Sequence, residues 1–198
     1  MEPKFSPEKL KKDAWERAIL LERKQSVHLS MIRSLDQVTR KESALILGDA
    51  CKVNSRYLIE ESGFQSVDNV DASPLINDDY YVSEKLHNYE ALFGDFNFPE
   101  NSYDFIYGKS ITFLHKEILE KTLLKIEKSL KQDGIFTSIW LLPKNTMVSI
   151  GKWEKERIEK ALENLQLTIL FQQEILQEGK NLGGKEGVSH CLEVVMKK

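Results

Sequence analysis

The amino-acid sequence predicts an α/β domain with a doubly wound, mostly parallel sheet of seven strands, an antiparallel strand near the C-terminus and helices on both faces. Short apolar segments alternate with segments whose apolar residues recur at helical spacing, which is the order of a parallel sheet with crossover helices. The last two apolar segments are joined by a glycine-containing link instead of a helix, so they can pair antiparallel.

Seven apolar segments have the length and composition of strands. The predicted strands are residues 44–47, 66–70, 89–93, 103–107, 135–142, 167–176 and 191–196. Helices are expected between them, and one is expected to start at Ser73-Pro74, where an N-cap residue precedes proline. Another is expected to end near Gly134, a residue typical of C-terminal caps. The Gly183-Gly184 link predicts a hairpin or flexible loop.

The chain length of 198 residues is typical of one α/β domain. We therefore expect residues 1–198 to form a single domain. Ser6-Pro7 predicts a helix start, and apolar stripes between residues 7 and 38 predict one or two amphipathic helices. Residues 1–40 are expected to form a helical segment that packs on the sheet or covers the binding cleft.

Composition disfavours several classes of protein. The formal net charge is -3 and no basic stretch stands out, which is unlike a nucleic-acid-binding protein. Cys51 and Cys191 are far apart and suggest reduced thiols, and the histidines are too dispersed to predict a metal site. Neither a signal peptide nor an apolar segment of about 20 residues is found. The sequence therefore predicts a cytoplasmic protein without metal.

The ends of the first two strands are the first place to seek a ligand site, because doubly wound sheets bind ligands beyond the carboxyl ends of their strands. Gly48 and Ala50 follow the first strand and are small enough for backbone to approach a ligand. Asp71 ends the second strand, where a carboxylate can accept both hydroxyls of a ribose. Alternatively, Gly48 makes a plain tight turn and Asp71 caps the next helix.

Four blocks of the sequence, in the same order, resemble the motifs of class I S-adenosylmethionine-dependent methyltransferases. The blocks are residues 44–54, 67–74, 94–107 and 130–136. The third, which includes Gly94-Asp95-Phe96 and Tyr103-Asp104-Phe105, is the most specific, since other dinucleotide-binding folds share the first. The resemblance implies a Rossmann-like methyltransferase fold and S-adenosylmethionine as cofactor.

The resemblance also assigns roles to individual residues. The cofactor-binding set is Gly48, Asp49, Ala50, Asp71, Ala72, Asp95, Phe96 and Lys109. The first three would lie beside the amino-acid part of the cofactor, with Asp49 near its amine, and Asp71 would hold the ribose. Asp95 would accept from the adenine amino group beside Phe96, or else stabilise a turn, with Phe96 in the core. Lys109 and Ser110 would border the methyl group and the acceptor.

The first block departs from the family pattern of acid-x-Gly-x-Gly-x-Gly. Ile46 stands at the acid position, Ala50 at the second glycine and Lys52 at the third, where it would put a long cation against the ligand. These departures support an alternative, a catalytically inactive protein of the same fold with a binding or regulatory role. A nicotinamide-dependent enzyme is less favoured, because Gly48-x-Ala50-x-x-Val53 is not a Gly-x-Gly-x-x-Gly loop.

The acceptor is predicted by elimination. The exit of the fourth strand, residues 107–110, lacks the Asn/Asp-Pro-Pro-aromatic run of enzymes that methylate the amines of nucleic-acid bases. A small-molecule acceptor is therefore expected. Methyl transfer needs a base only when the nucleophile must lose a proton. His115 is the best candidate for that role, although a surface position at a helix start explains it as well, and no catalytic residue is predicted.

Overall fold

The computed structural model describes residues 29–145, 153–180 and 186–198. The helices are α1 (Leu29–Leu35), α2 (Val53–Glu60), α3 (Lys116–Ser129) and α4 (Lys155–Glu163), with 3-10 turns at Pro74–Asn77 and Ile111–Phe113. The strands are β1 (Ser43–Leu47), β2 (Ser66–Asp71), β3 (Leu86–Glu90), β4 (Tyr103–Gly108), β5 (Leu130–Leu141), β6 (Thr168–Lys180) and β7 (Glu186–Lys197). The expected helix start at Ser6-Pro7 and the Gly183-Gly184 link lie outside the described residues.

The seven strands form one sheet in the order β3-β2-β1-β4-β5-β7-β6. Strands β1 to β5 are parallel, whereas β7 pairs antiparallel with both β5 and β6. This confirms the predicted fold class. The chain reverses its direction of strand addition between β1 and β4. Doubly wound sheets have their ligand-binding crevice beyond the carboxyl ends of the strands at such a point.

Apolar layers cover both faces of the sheet. Leu45 and Leu47 of β1 pack in a cluster with side chains of α3 and α4, while Ala44 and Ile46 pack in a second cluster with α1 and α2. All four residues are fully buried. A strand buried on both faces has no polar alternation, which is why β1 is a continuous apolar run in the sequence. Within the described residues no helix is both long and apolar enough to cross a membrane.

Three local predictions were wrong. The third strand is Leu86–Glu90 and not residues 89–93, because pairing with β2 selects this register although Leu86 is its only buried residue. Ser73-Pro74 starts a 3-10 turn of four residues and not an α-helix. Gly134 lies inside β5, since α3 already ends at Ser129. A side chain at Gly134 would lie 2.8 Å from the Lys131 carbonyl oxygen, so this glycine allows a close backbone approach.

Asp104 ties the amino ends of β1, β4 and β5 together. It is 3% exposed, and its Oδ2 accepts backbone N–H groups of Glu42 (3.1 Å) and Ser43 (3.0 Å). The same oxygen lies 3.1 Å from the ammonium of Lys131. These hydrogen bonds and the ion pair offset the free-energy cost of burying the Asp104 charge. The acid of the Tyr103-Asp104-Phe105 block is therefore at the opposite edge of the sheet from the crevice.

Candidate functional site

The loop after β1 approaches the exit of β4 closely at Gly48. Gly48 has φ = 96°, and its N–H donates to the carbonyl oxygen of Val70 at 2.8 Å. A Cβ at this position would lie 2.1 Å from the Oγ of Ser110. Ser110 is anchored there, because its N–H donates to the carbonyl oxygen of Leu47 at 3.1 Å. Glycine is therefore required both by the backbone angle and by the neighbouring loop.

Asp49 is fully buried and holds the loop to the start of α2. Its Oδ2 accepts the N–H (2.8 Å) and the hydroxyl (2.7 Å) of Ser55. Its Oδ1 accepts from the Asn54 amide at 2.9 Å and from the Cys51 thiol at 3.0 Å. A carboxylate with this many internal donors fixes the shape of the loop. The predicted contact of Asp49 with a cofactor amine stays a prediction.

Asp71 joins the end of β2 to the same loop. Its Oδ2 accepts the N–H of Ala50 at 3.2 Å, and its Oδ1 accepts the N–H of Ser73 at 2.8 Å. Burial raises the pKa of the Asp71 carboxyl, and these two hydrogen bonds oppose that rise. Ala72, the next residue, is exposed. Asp71 therefore lies at the rim of the crevice with both oxygens oriented by backbone.

Lys52 does not extend a cation over the loop. It has left-handed backbone (φ = 58°) and is 1% exposed. Its ammonium donates to the carbonyl oxygens of Asp78 and Tyr81 and lies 3.5 Å from Oδ1 of Asp78. A buried ammonium needs such acceptors, and the segment after the 3-10 turn supplies them. At the position of the family's third glycine, the Lys52 side chain is therefore bound to Asp78 and Tyr81 and does not lie over the loop.

Lys109 brings a positive charge to the loop from the end of β4. Its Nζ lies 3.9 Å from Oδ1 of Asp49 and 3.7 Å from Sγ of Cys51. The side chain is 14% exposed, so the ammonium is only partly screened by solvent. Lys109 therefore joins the loop after β1 to the exit of β4 and places one cation between them.

A groove with an acidic rim and aromatic walls follows β3. Asp95 is exposed on its rim, and Phe96 is 8% exposed with its ring centroid 5.1 Å from that of Tyr89. The groove has a volume of about 640 Å³ and reaches Asp68 and Tyr103. A helix after β3 would fill this face of the sheet, but residues 91–102 form turns. The groove is therefore open to a planar group.

Asp68 and Tyr103 at the base of this groove are functional candidates that the sequence reasoning missed. The Tyr103 hydroxyl donates to Oδ2 of Asp68 at 2.6 Å. Burial raises the pKa of both groups, and for Asp68 the tyrosine hydrogen bond opposes the rise. The two residues are 35 positions apart in the sequence and belong to different motif blocks, so only the fold shows this contact.

The structure brings most of the predicted set to one edge of the sheet. Gly48, Asp49, Ala50, Asp71 and Lys109 are linked by contacts of 3.9 Å or less, directly or through Ser110 and Cys51. Asp95 and Phe96 line the adjoining groove and not the loop itself. His115 is exposed at the start of α3, and within the described residues its side chain makes no hydrogen bond or ion pair with the loop.

The chemistry of these residues fits an adenosine derivative with an anionic end. Asp71 offers carboxylate oxygens at a strand end, and the groove after β3 offers an aromatic wall beside an acid. Lys109 offers a cation at the exit of β4, 3.9 Å from Asp49 of the loop. Ribose hydroxyls, an adenine ring and a carboxylate are the complementary groups. The arrangement can therefore hold a nucleoside whose chain ends in a carboxylate.

Solved structures that share this fold include proteins described as S-adenosylmethionine-dependent methyltransferases. A chain from the complex between the Haloferax volcanii Trm112 methyltransferase activator and a protein assigned as a methyltransferase is 17% identical, with TM-score 0.73, over 93% of this chain and 94% of that one. A Mesorhizobium loti S-adenosylmethionine-dependent methyltransferase is 12% identical, with TM-score 0.66, over 85% and 98%. One from Methanosarcina mazei is 10% identical, with TM-score 0.64, over 88% and 99%.

Comparison by sequence gives a different result. No family model matches the chain, and no curated protein matches it significantly. The structural comparison alone therefore shows the class I methyltransferase fold, as the motif resemblance implied, at sequence identities of 10% to 17%.

Proposed function

We propose that the protein binds S-adenosylmethionine at the carboxyl ends of β1, β2 and β4 and transfers its methyl group to a small-molecule acceptor. The observation that carries the proposal is Asp71, a rim carboxylate that backbone N–H groups hold beside the loop of Gly48. The methyltransferase fold supports the same placement, because doubly wound sheets bind ligands where the strand order reverses.

Each part of the cofactor has a matching group. Asp71 accepts the ribose hydroxyls, with exposed Ala72 beside the sugar. Asp95 accepts from the adenine amino group, and Phe96 belongs to the aromatic wall against which the ring packs. Gly48 and Ala50 present backbone to the amino-acid part. Lys109 lies where its ammonium can pair with the carboxylate, and Asp49 keeps both the loop and Lys109 in position.

The cofactor supplies a methyl group activated by a sulfonium, and its departure leaves a neutral thioether. The protein therefore needs to align an acceptor more than to stabilise charge. Lys109 and Ser110, at the exit of β4, border the region in which the acceptor would lie. A proton must be removed only from an acceptor that is protonated at its nucleophilic atom, and exposed His115 is the nearest histidine in sequence to this exit.

A second function is favoured by one observation. Ser110 and Lys109 contact the loop of Gly48, and the Asp49 carboxylate accepts hydrogen bonds from three internal residues, so the loop is held by contacts within the protein. A binding or regulatory protein that has lost methyl transfer would retain this packing. The two functions differ in whether the crevice binds S-adenosylmethionine.

Calorimetric titration with S-adenosylmethionine and S-adenosylhomocysteine tests the proposal. We expect both to bind with dissociation constants in the micromolar range, which corresponds to about -8 kcal/mol. Adenosine alone should bind more weakly, because it cannot pair with Lys109. Absence of heat for all three ligands at millimolar concentration would favour the binding or regulatory function and overturn the cofactor assignment.

A further inference from the structure

A basic groove lies between α3 and α4, on the face of the sheet opposite α1 and α2. It has a volume of about 310 Å³ and includes Lys116, Glu120, Trp153, Arg157, Lys160 and Asn164 in its lining. Ligand pockets in proteins start at about 300 Å³, so the groove can take a small ligand. It shares no residue with the crevice proposed for the cofactor.

Three cations converge on this groove. Arg157 and Lys160 are one turn apart on α4, and Lys116 faces them from the first turn of α3. The single acid of the lining, Glu120, lies 3.9 Å from Lys116. In the described part of the chain no carboxylate comes within 4.0 Å of Arg157 or Lys160. Arg157 and Lys160 are three positions apart on one helix and therefore lie on the same face, so an anion bound in the groove would lie near both positive charges.

An aromatic side chain is fixed beside these cations. The indole Nε1–H of Trp153 donates to the carbonyl oxygen of Thr112 at 2.7 Å. Its ring lies edge-on to Trp140, with centroids 6.2 Å apart and an interplanar angle of 78°. Because both contacts hold the ring in the unliganded protein, little side-chain entropy would be lost when a planar group packs against it.

We propose that the α3–α4 groove is a binding site for a phosphate monoester that carries a planar ring. Arg157 and Lys160 pair with the phosphate, since guanidinium and ammonium groups are the side chains best suited to phosphate oxygens. Trp153 packs against the ring, and the Asn164 amide can donate to a phosphate oxygen. The proposal does not depend on cofactor binding, because the two sites share no residue.

Phenyl phosphate is a suitable probe, because it has the ring and the charge without an adenosine that could enter the crevice. We expect it to quench tryptophan fluorescence saturably, and Trp153→Phe should remove this response. Phenol and inorganic phosphate should each bind at least tenfold more weakly than phenyl phosphate. Added salt should weaken the binding of phenyl phosphate, because it screens the charges. Saturating S-adenosylhomocysteine should leave its affinity unchanged. Competition between the two ligands would contradict a separate site.

A charge-matched pair of double variants completes the test. The double variant Arg157→Gln, Lys160→Gln should bind phenyl phosphate at least tenfold more weakly than the native protein. Lys85→Gln with Lys121→Gln removes the same charge from exposed positions outside the groove and should change the affinity less than twofold. Equal losses in both double variants, or equal affinities for phenol and phenyl phosphate, would overturn the proposal. Chemical denaturation of each variant shows whether the fold is retained.

Discussion

Replacing Gly48 by alanine is expected to destabilise the protein by about 3 kcal/mol. The new Cβ would lie 2.1 Å from Oγ and 2.2 Å from Cβ of Ser110, on a backbone with φ = 96°. The Ser110 Cβ cannot move without its backbone, whose N–H is bonded to the carbonyl oxygen of Leu47. In urea unfolding, the loss of stability should appear as a lower midpoint concentration of urea, with an unchanged slope of the free energy of unfolding against urea concentration.

Gly63 provides the matched control for this variant. It also has a positive φ, 81°, but a Cβ there would meet nothing within 4 Å. Gly63→Ala therefore isolates the backbone term and should destabilise by about 1 kcal/mol. Adding Ser110→Gly to Gly48→Ala should recover the steric part of the loss. Equal destabilisation by Gly48→Ala and Gly63→Ala would show that the loop after β1 does not press on the exit of β4.

Replacing Asp71 by alanine is expected to weaken the binding of S-adenosylhomocysteine by about 100-fold, which is roughly 2.7 kcal/mol of binding free energy. The variant loses the acceptor for both ribose hydroxyls, and two charge-assisted hydrogen bonds are worth at least this much. Calorimetry measures the affinity. Asp71→Asn keeps one oxygen for the N–H of Ala50 or Ser73 and should still bind at least tenfold more weakly than the native protein.

Glu61→Gln is the control for Asp71, because it removes an exposed carboxylate at the end of α2, away from the crevice. It should leave the affinity unchanged. The pH dependence adds a second criterion. In the proposed site it is the ionised form of Asp71 that would accept the ribose hydroxyls, and burial raises the pKa of this carboxyl. Affinity should therefore start to fall, as pH is lowered, above the ordinary aspartate value of about 3.9. Undiminished binding by Asp71→Ala would remove Asp71 from the site.

The parts of the fold that could be predicted are those that burial alone determines. β1 and β4 are buried on both faces, so their sequences are apolar apart from Ser43 and Asp104 near their amino ends. β3 has one buried residue, and its position depends on backbone pairing with β2, which apolar pattern does not encode. Gly134 is a residue type that is common at helix caps, but here it lies inside β5. A Cβ at this position would lie 3.0 Å from the Tyr103 carbonyl oxygen, and this close approach explains the glycine.

The candidate site divides in the same way. The positions of Gly48 and Asp71 could be predicted, because Gly48 follows β1 and Asp71 ends β2, two strands that the sequence defines well. The contacts of Lys52 could not, since its acceptors are the carbonyl oxygens of Asp78 and Tyr81, in a segment without regular structure. The approach of Lys109 to Cys51 joins residues 58 positions apart and depends on β1 and β4 being neighbours in the sheet.

The measurement that tests the central claim most directly is a titration of the isotope-labelled protein with S-adenosylhomocysteine, followed by amide chemical shifts. The cofactor assignment predicts the largest shifts at Gly48, Ala50, Asp71, Ala72 and Asp95, and small ones in α3 and α4. Absence of any shift at millimolar ligand, or shifts confined to the groove between α3 and α4, would contradict a cofactor site at the ends of β1, β2 and β4.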